Sequence, residues 1–259
     1  MTARFVPLGA NSLVPSFRRQ TLSFLCATKT TLVLLDAGTG LGRLVEPTCR
    51  DFVADYTAMN IILSNYSYDR LVGIAFLSKL WKGPITIYAP GPPLINVDPR
   101  PIFDQVFRLA FDTKSEVPPE QLRVVVISER SIKLEDLDIN FLPQNKTDGS
   151  IGIRLGDFVG YLPDSDANAS VFSFVEGCKL LLPGIQLQRS DYSKGISGLK
   201  SNPLLHQVIE LAVKAQSNLL MPINLRPEST EDEVNRIADA FNSQGLIGMS
   251  PLEGTILRI

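Results

Sequence analysis

The sequence predicts one domain of the α/β (α+β) class that spans residues 1–259. Hydrophobic residues make up 44% of the chain and charged residues 20%, which is typical of a folded protein with a sizeable core. Short apolar runs alternate with segments of helical spacing in both halves of the chain. No repeat and no low-complexity linker interrupts this pattern. It is compatible with two layers of sheet or with one sheet covered by helices.

Strands are predicted where short apolar runs are bounded by Gly, Pro or polar residues. In chain order these runs are ARFVPLGAN, TLSFLCAT, TTLVLLDAG, MNIIL, GPITIYAP, QLRVVVIS, LDINFLPQN, SIGIRLGDFVGYL, CKLLLPG, NLLMPIN and TILRI. TTLVLLDAG is apolar enough to lie in the middle of a sheet. SIGIRLGDFVGYL predicts a hairpin that turns at its GD.

Helices are predicted where apolar residues recur every three or four positions. In chain order they are CRDFVADYTA, DRLVGIAFLSKLW, PRPIFDQVFRLAFD, ASVFSFVEG, NPLLHQVIELAVKAQ and STEDEVNRIADAFNSQG. Two of them carry Pro near the first turn, where its missing N–H has no helical partner to lose. The last has a hydroxyl cap, an acidic first turn and a terminal Gly, and is therefore the best-defined helix of the chain.

Charge and cysteine content limit the classes of partner and compartment. A net charge of −2 gives no electrostatic case for nucleic acid or for an acidic membrane surface. The N-terminus lacks the pattern of a signal peptide, and no apolar run has the length of a membrane span. The three cysteines, Cys26, Cys49 and Cys178, are scattered, which is typical of reduced thiols in a cytoplasmic protein.

The single histidine, His206, restricts the chemistry further. Serine hydrolases and most zinc enzymes need one or more imidazoles. His206 stands in NPLLHQ, at the start of a predicted helix and away from any nucleophile motif. We interpret it as a structural or surface residue.

Several segments in a fixed order carry a resemblance to a known family. The opening segment contains a Gly turn and a Pro, followed by a strand pair that ends in DAGTG, Asp36 to Gly40. LSNYSYDRLVG, Leu63 to Gly73, lies between two apolar segments, and GYLPDSD and LLMPINLRP follow later. In order and spacing, nearly the whole chain resembles the metallo-β-lactamase fold superfamily, in the branch of tRNase Z-like and phosphodiesterase-like hydrolases. The resemblance implies an αββα sandwich of two mixed β-sheets with helices on the outer faces.

Members of this family hold two metal ions with an HxHxDH loop, a later histidine, a bridging aspartate and a final histidine. Such ligands bind metals that generate hydroxide near neutral pH. In the corresponding loop of this chain Asn65, Ser67 and Arg70 replace the histidines, and only Asp69 matches.

The other family ligands are also replaced, with one exception. Lys146 stands at the next histidine position and Asn224 at the last, while Asp164 matches the bridging aspartate. Lys200 replaces a further histidine that tRNase Z-like members have. The resemblance therefore implies a site that retains its backbone context without its imidazoles.

Two readings of the retained carboxylates are open. In the first, the cations Arg70 and Lys146 take the place of the metals and neutralise Asp69 and Asp164, because buried carboxylates need a partner. In the second, Asp69 and Asp164 are oxygen ligands of a divalent cation such as Mg²⁺ or Ca²⁺, with help from Asn65 and Asn224. The segment GTGLG is a third, minor candidate, for phosphate contact.

The side chains around the former metal loop also allow two readings. Tyr66, Tyr68, Arg70, Lys146 and Lys200 would line a positively charged, aromatic cleft for a small anion such as a nucleotide or phosphate ester. Alternatively, these large side chains fill and close the cleft.

The sequence therefore predicts a metal-free, catalytically degenerate protein without catalytic residues or cofactor. It would act as a binding, regulatory or assembly protein, through a protein partner or as a dimer. One alternative is a sensor of a small anionic ligand. The other is a phosphodiesterase-type hydrolase with a non-standard divalent metal set at Asp69 and Asp164.

Overall fold

The described strands form two mixed sheets of seven strands each in a computed structural model. The structure describes residues 2–111, 121–144, 149–164, 168–187, 189–192, 199, 202–217 and 219–259. Lys146 and Lys200 lie outside these residues.

The first sheet has the order β14-β1-β2-β3-β4-β5-β6. Its strands are β1 Arg4–Gly9, β2 Ser23–Ala27, β3 Leu32–Leu35, β4 Met59–Ile62, β5 Ile85–Pro90, β6 Leu122–Ile127 and β14 Leu257–Arg258. Strands β14, β1, β2 and β3 pair antiparallel, and β3 to β6 pair parallel.

The second sheet repeats this arrangement in the order β13-β12-β11-β10-β9-β8-β7. Its strands are β7 Ser131–Leu134, β8 Leu137–Gln144, β9 Ser150–Leu155, β10 Val159–Leu162, β11 Leu180–Pro183, β12 Leu219–Leu220 and β13 Ile247–Gly248. Strands β7 to β10 pair antiparallel, and β10 to β13 pair parallel.

Helices cover the outer faces of the two sheets. Their bounds are α1 Pro47–Val53, α2 Tyr68–Leu71, α3 Leu77–Leu80, α4 Pro99–Ala110, α5 Ala169–Val175, α6 Arg189–Tyr192, α7 Pro203–Lys214 and α8 Glu231–Asn242. Two 3₁₀ segments, Thr39–Val45 and Val72–Phe76, complete the layer beside β3 and α2. Among the described helices, none is long and apolar enough to cross a lipid bilayer.

The core explains why the central strands read as continuous apolar runs. On β2, Phe24 and Cys26 join the cluster between the sheets, whereas Leu25 and Ala27 join the cluster under α1 and α4. Successive side chains of a strand point to opposite faces, so a strand covered on both faces must be apolar at every position.

The predicted architecture is confirmed: two mixed sheets pack against each other with helices on their outer faces, which is an αββα sandwich. Thr230 is the hydroxyl cap of α8, and it forms a capping box with Glu233. The segment predicted as one helix, DRLVGIAFLSKLW, is instead divided into α2, the 3₁₀ segment and α3. Gly73 lies inside it, and a Cβ there would be 2.2 Å from the carbonyl oxygen of Gly38, so the chain must approach that turn closely.

Other elements differ from the prediction in detail. Strands β7 and β13 are not predicted; β7 has the short sequence SIKL, whose side chains alternate between exposed and half-buried at a sheet edge. The segment NLLMPIN contributes only Leu219 and Leu220 to β12, and residues 221–224 form the loop that carries Asn224.

Candidate functional site

Polar side chains from both sheets meet at one edge of the sandwich. Asp36 follows β3, Ser64 follows β4 closely, Asp164 follows β10, and Asn224 follows β12. These strands belong to the parallel parts of their sheets, and ligands of α/β sheets bind outside the carboxyl ends of such strands. The backbone N–H of Ile151, on β9 of the second sheet, donates to the carbonyl oxygen of Ser64, next to β4 of the first sheet, at 2.9 Å. This hydrogen bond joins the two sheets at this edge.

The guanidinium of Arg70 lies at the centre of this cluster. Its Nη1 is 2.7 Å from Asp164 Oδ2 and donates to Ser64 Oγ at 2.6 Å, and its Nε is 3.8 Å from Asp36 Oδ2. The side chain is 3% exposed. Burial by itself lowers the pKa of Arg70, but the neighbouring carboxylates and Tyr161 outweigh burial and hold it above its ordinary value. Arg70 is thus a permanent cation between two buried carboxylates.

Asp36 organises the inner part of the cluster. It adopts a left-handed conformation (φ 54°), which Asp tolerates better than most residues. Its carboxylate accepts the backbone N–H of Ser64 and the hydroxyl of Ser64, each at 2.7 Å, and the hydroxyl of Tyr161 at 2.5 Å. Burial raises the pKa of Asp36, while Arg70 and these donors oppose the rise. Burial and Asp36 raise the pKa of Tyr161 well above its usual range, so Tyr161 stays a neutral donor.

The two asparagines at former histidine positions also serve Asp164. Asn65 Nδ2 donates to Asp164 Oδ2 at 3.1 Å. Asn224 Nδ2 donates to the carbonyl oxygen of Pro163 at 2.8 Å and to Asp164 Oδ1 at 3.4 Å. Asn65 Oδ1 in turn accepts the backbone N–H and the hydroxyl of Ser67. The amides therefore act as donors toward the carboxylate and stabilise its charged form.

Asp69 is separate from this network. Its Oδ2 accepts the backbone N–H of Leu13 at 3.1 Å, and its carbonyl oxygen accepts the hydroxyl of Thr21. Asp69 is 6% exposed. The ion pairs among the described residues connect Arg70 to Asp36 and Asp164 and do not include Asp69. Arg70 thus forms an ion pair with Asp164, while Lys146, the second cation of that prediction, lies outside the described residues.

A cavity of about 370 Å³ remains beside the network. Its described lining consists of Ser12, Leu13, Asn65, Tyr66, Ser67, Asp69, Arg70, Val97, Gly149, Asp164, Gln186 and Asn224. The tyrosines of the loop therefore do not fill it completely. Tyr66 lines the cavity, and its hydroxyl donates to the carbonyl oxygen of Pro90 while its ring meets Phe103 edge-on at 6.3 Å. Tyr68 is 77% exposed and is not among the described residues that line this cavity.

The remaining sequence candidates have structural roles or lie elsewhere. His206 is exposed on α7 and is absent from the cavity lining. In DAGTG, the N–H groups of Ala37, Gly38 and Thr39 already donate to Arg70 O, Leu22 O and Thr21 Oγ1. These amides shape the turn beneath the cluster. Because each N–H already donates within the protein, none of the three is free to donate to a phosphate.

The family's pair of metal ions does not fit the residues observed. In the part of the chain that the structure describes, no group of three or more His, Cys, Asp and Glu side chains could hold a metal ion. A guanidinium contacts the carboxylate that the resemblance assigns to the bridge, and two amides direct N–H groups at it. Metal ligands must present lone pairs, whereas these groups present hydrogens.

Three members of the cluster were not recognised as site residues from sequence. Asp36 was noted only as part of a turn motif, and Ser64 and Tyr161 were not singled out. The available signal for Asp36 was its position directly after a buried apolar strand, because a carboxylate at such a position needs hydrogen-bond or ionic partners. Ser64 and Tyr161 carry no such signal, since Ser and Tyr also occur in loops and cores without a polar network.

Comparison with known proteins supports the fold. A scan against protein-family models and a search of curated proteins both gave no match. Among solved structures, the metallo-β-lactamase fold protein YhfI from Bacillus subtilis is similar, with 16% identity, a TM-score of 0.71 and coverage of 100% of this chain and 99% of that one. A diphosphatase of the PhnP family has 16% identity, a TM-score of 0.68 and coverage of 100% and 98%. The short form of human tRNase Z has 16% identity, a TM-score of 0.58 and coverage of 86% and 92%. At this identity the similarity establishes the metallo-β-lactamase fold and leaves the activity open.

Proposed function

We propose that this chain is a catalytically degenerate metallo-β-lactamase-fold protein that acts by binding and not by metal-dependent hydrolysis. One observation carries the proposal: the guanidinium of Arg70 lies 2.7 Å from Asp164, the carboxylate at the family's bridging position. Its cytoplasmic location and its action as a regulatory or assembly subunit, as a dimer or with a protein partner, belong to the same proposal.

The chemistry of a guanidinium supports this reading. A metal ion in such a site accepts lone pairs and lowers the pKa of a bound water, which becomes the nucleophile. A guanidinium neutralises carboxylates as a metal would, but it has no vacant coordination position and stays protonated. Arg70 therefore supplies the electrostatic role of a metal without its reactivity. Ser64, Asn65 and Asn224 complete the hydrogen bonding that a buried ion pair needs.

Metal content of the native protein, measured by elemental analysis, is the direct test. We expect substoichiometric metal that does not change in the variant Asp69→Ala/Asp164→Ala. Hydrolysis of bis(p-nitrophenyl) phosphate should be absent with added Zn²⁺, Mn²⁺ or Mg²⁺. About two metals per chain, lost in the variant together with diesterase activity, would refute the proposal and establish the hydrolase alternative.

A second candidate function is ligand sensing, which the cavity of about 370 Å³ favours. This volume is in the range of small-molecule sites. The sequence predicted an anionic ligand such as a nucleotide or phosphate ester, with Arg70 and Lys146 as its partners. In that case Arg70→Ala and Lys146→Ala should abolish binding in calorimetry with a nucleotide panel. Loss of stability alone, without any nucleotide binding to the native protein, would contradict it.

A further inference from the structure

Asp69 is a buried carboxylate that lines the cavity, and the ion pairs among the described residues do not include it. It is 6% exposed, and its described side-chain contact is the backbone N–H of Leu13 at 3.1 Å. A buried carboxylate is costly unless it is paired with a cation or fully hydrogen-bonded. The backbone N–H occupies Oδ2 of Asp69, and the hydrogen bonds among the described residues do not use its other oxygen, which remains an acceptor.

Among the described lining residues, the charged side chains are those of Asp69, Asp164 and Arg70. The guanidinium of Arg70 already contacts Asp164, Ser64 and Asp36. An incoming anion would have to compete with two buried carboxylates for Arg70, whereas an incoming cation would find Asp69 in position.

Apolar groups complete the lining next to Asp69. The side chains of Leu13 and Val97 and the ring of Tyr66 line the same cavity. The ring is held in place by Phe103 and by the hydrogen bond from its hydroxyl to Pro90. An aromatic face attracts organic cations, and aliphatic side chains accommodate an apolar stem.

We propose that the cavity binds an organic cation, a primary ammonium or guanidinium group on a short apolar stem, with Asp69 as its ionic partner. The proposal names the ligand class of the binding function proposed above and rests on it. The cation can come from a free amine or from a Lys or Arg side chain of a partner protein. In both cases the charged nitrogen donates to Asp69, and the stem packs against Tyr66, Leu13 and Val97.

Calorimetry with matched probes tests this inference. The probes are butylammonium, butylguanidinium, butanol, butyrate and butyl phosphate, so that the stem is constant and the charge varies. We expect binding of the two cations only. N-acetyl-lysine amide and a lysine-containing peptide are added to separate the sources: tighter binding of the peptide supports a protein partner, and equal binding supports a free amine. Binding of butyl phosphate without the cations would overturn the proposal in favour of an anionic ligand.

The variant Asp69→Asn removes the charge but keeps an oxygen that can accept the N–H of Leu13. We expect cation affinity to fall on the order of tenfold or more, with no change for Asp51→Asn, whose carboxylate is 79% exposed. Should Asp69→Asn fail to fold, Val97→Phe fills the cavity without altering Asp69 and should also block binding. Unchanged affinity in the folded variants would overturn the proposal.

Failure of this inference can be told apart from failure of the proposed function. The diesterase assay and elemental analysis are run on the same preparations. Metal-dependent hydrolysis would refute the binding function itself. A protein without hydrolysis and without cation binding would refute only the ligand class.

Discussion

Removal of the Arg70 charge tests how the site is stabilised. In Arg70→Met the apolar stem is largely retained, while Asp36 and Asp164 lose the cation at 3.8 and 2.7 Å. Removing one partner of a buried ion pair costs about 3–5 kcal/mol, because a buried charge is left uncompensated. Total stabilities of single domains are about 5–15 kcal/mol. The substitution should therefore remove a large part of the free energy of unfolding.

Urea denaturation at pH 7, followed by circular dichroism, measures this loss. The control is Arg100→Met, because Arg100 pairs with Asp98 at 2.9 Å but is 79% exposed, and exposed pairs contribute little. A second control adds Asp164→Asn to Arg70→Met, and this double variant should recover part of the loss because the carboxylate that Arg70 contacted no longer carries a charge. A loss below about 1 kcal/mol, equal to that of a surface pair, would refute the interpretation of Arg70 as the replacement of the metal charge.

The pH dependence of the same variant provides an independent check. Burial raises the pKa of Asp36 in the native protein, and loss of Arg70 raises it further. A folded-state pKa above the unfolded value means that the folded state gains stability at low pH and loses it as pH rises through the folded pKa. The difference between native protein and Arg70→Met should thus shrink toward pH 4 and widen toward neutrality. A difference independent of pH would contradict this electrostatic origin.

Two further predictions concern the surroundings of the site. A Cβ at Gly38 would lie 2.4 Å from Thr21 Oγ1 and 2.6 Å from the carbonyl oxygen of Asp69, so Gly38→Ala should cost about 1–3 kcal/mol. A Cβ at Gly42 would meet nothing within 4 Å, so the control Gly42→Ala should be neutral or slightly stabilising. Equal urea midpoints for the two variants would show that the turn at Gly38 is not tightly packed. Glu253 accepts N–H groups of Gln20 and Arg43, and burial raises its pKa from 4.5 to about 7. The stabilisation of the folded state by Glu253 is fully present below pH 4.5. It falls by on the order of 3 kcal/mol as the pH rises through 7. Glu253→Gln should remove this decline, and an unchanged pH profile of unfolding would contradict it.

Local sequence signals were sufficient wherever an element is defined by its own residues. The hydroxyl cap and acidic first turn predict the start of α8 at Ser229 or Thr230, where the helix does begin, and the hairpin at GD follows from period and turn chemistry. Signals were insufficient where neighbours decide the conformation. The helical spacing after Asp69 is interrupted because Gly73 packs against the turn at Gly38, which lies far away in the sequence.

The sequence by itself determined the fold class and the identity of the groups at the former ligand positions, because motif order and residue type are properties of the chain. It showed that imidazoles are replaced by Asn65, Ser67, Arg70 and Asn224. Only the tertiary structure decided the pairing. It joined Arg70 to Asp164, added the unrecognised Asp36 to the same cluster, and placed Asp69 at a cavity with Leu13. The physical reason is that hydrogen bonds and ion pairs act over a few ångströms. Their partners are therefore fixed by the packing of two sheets and not by separation along the chain.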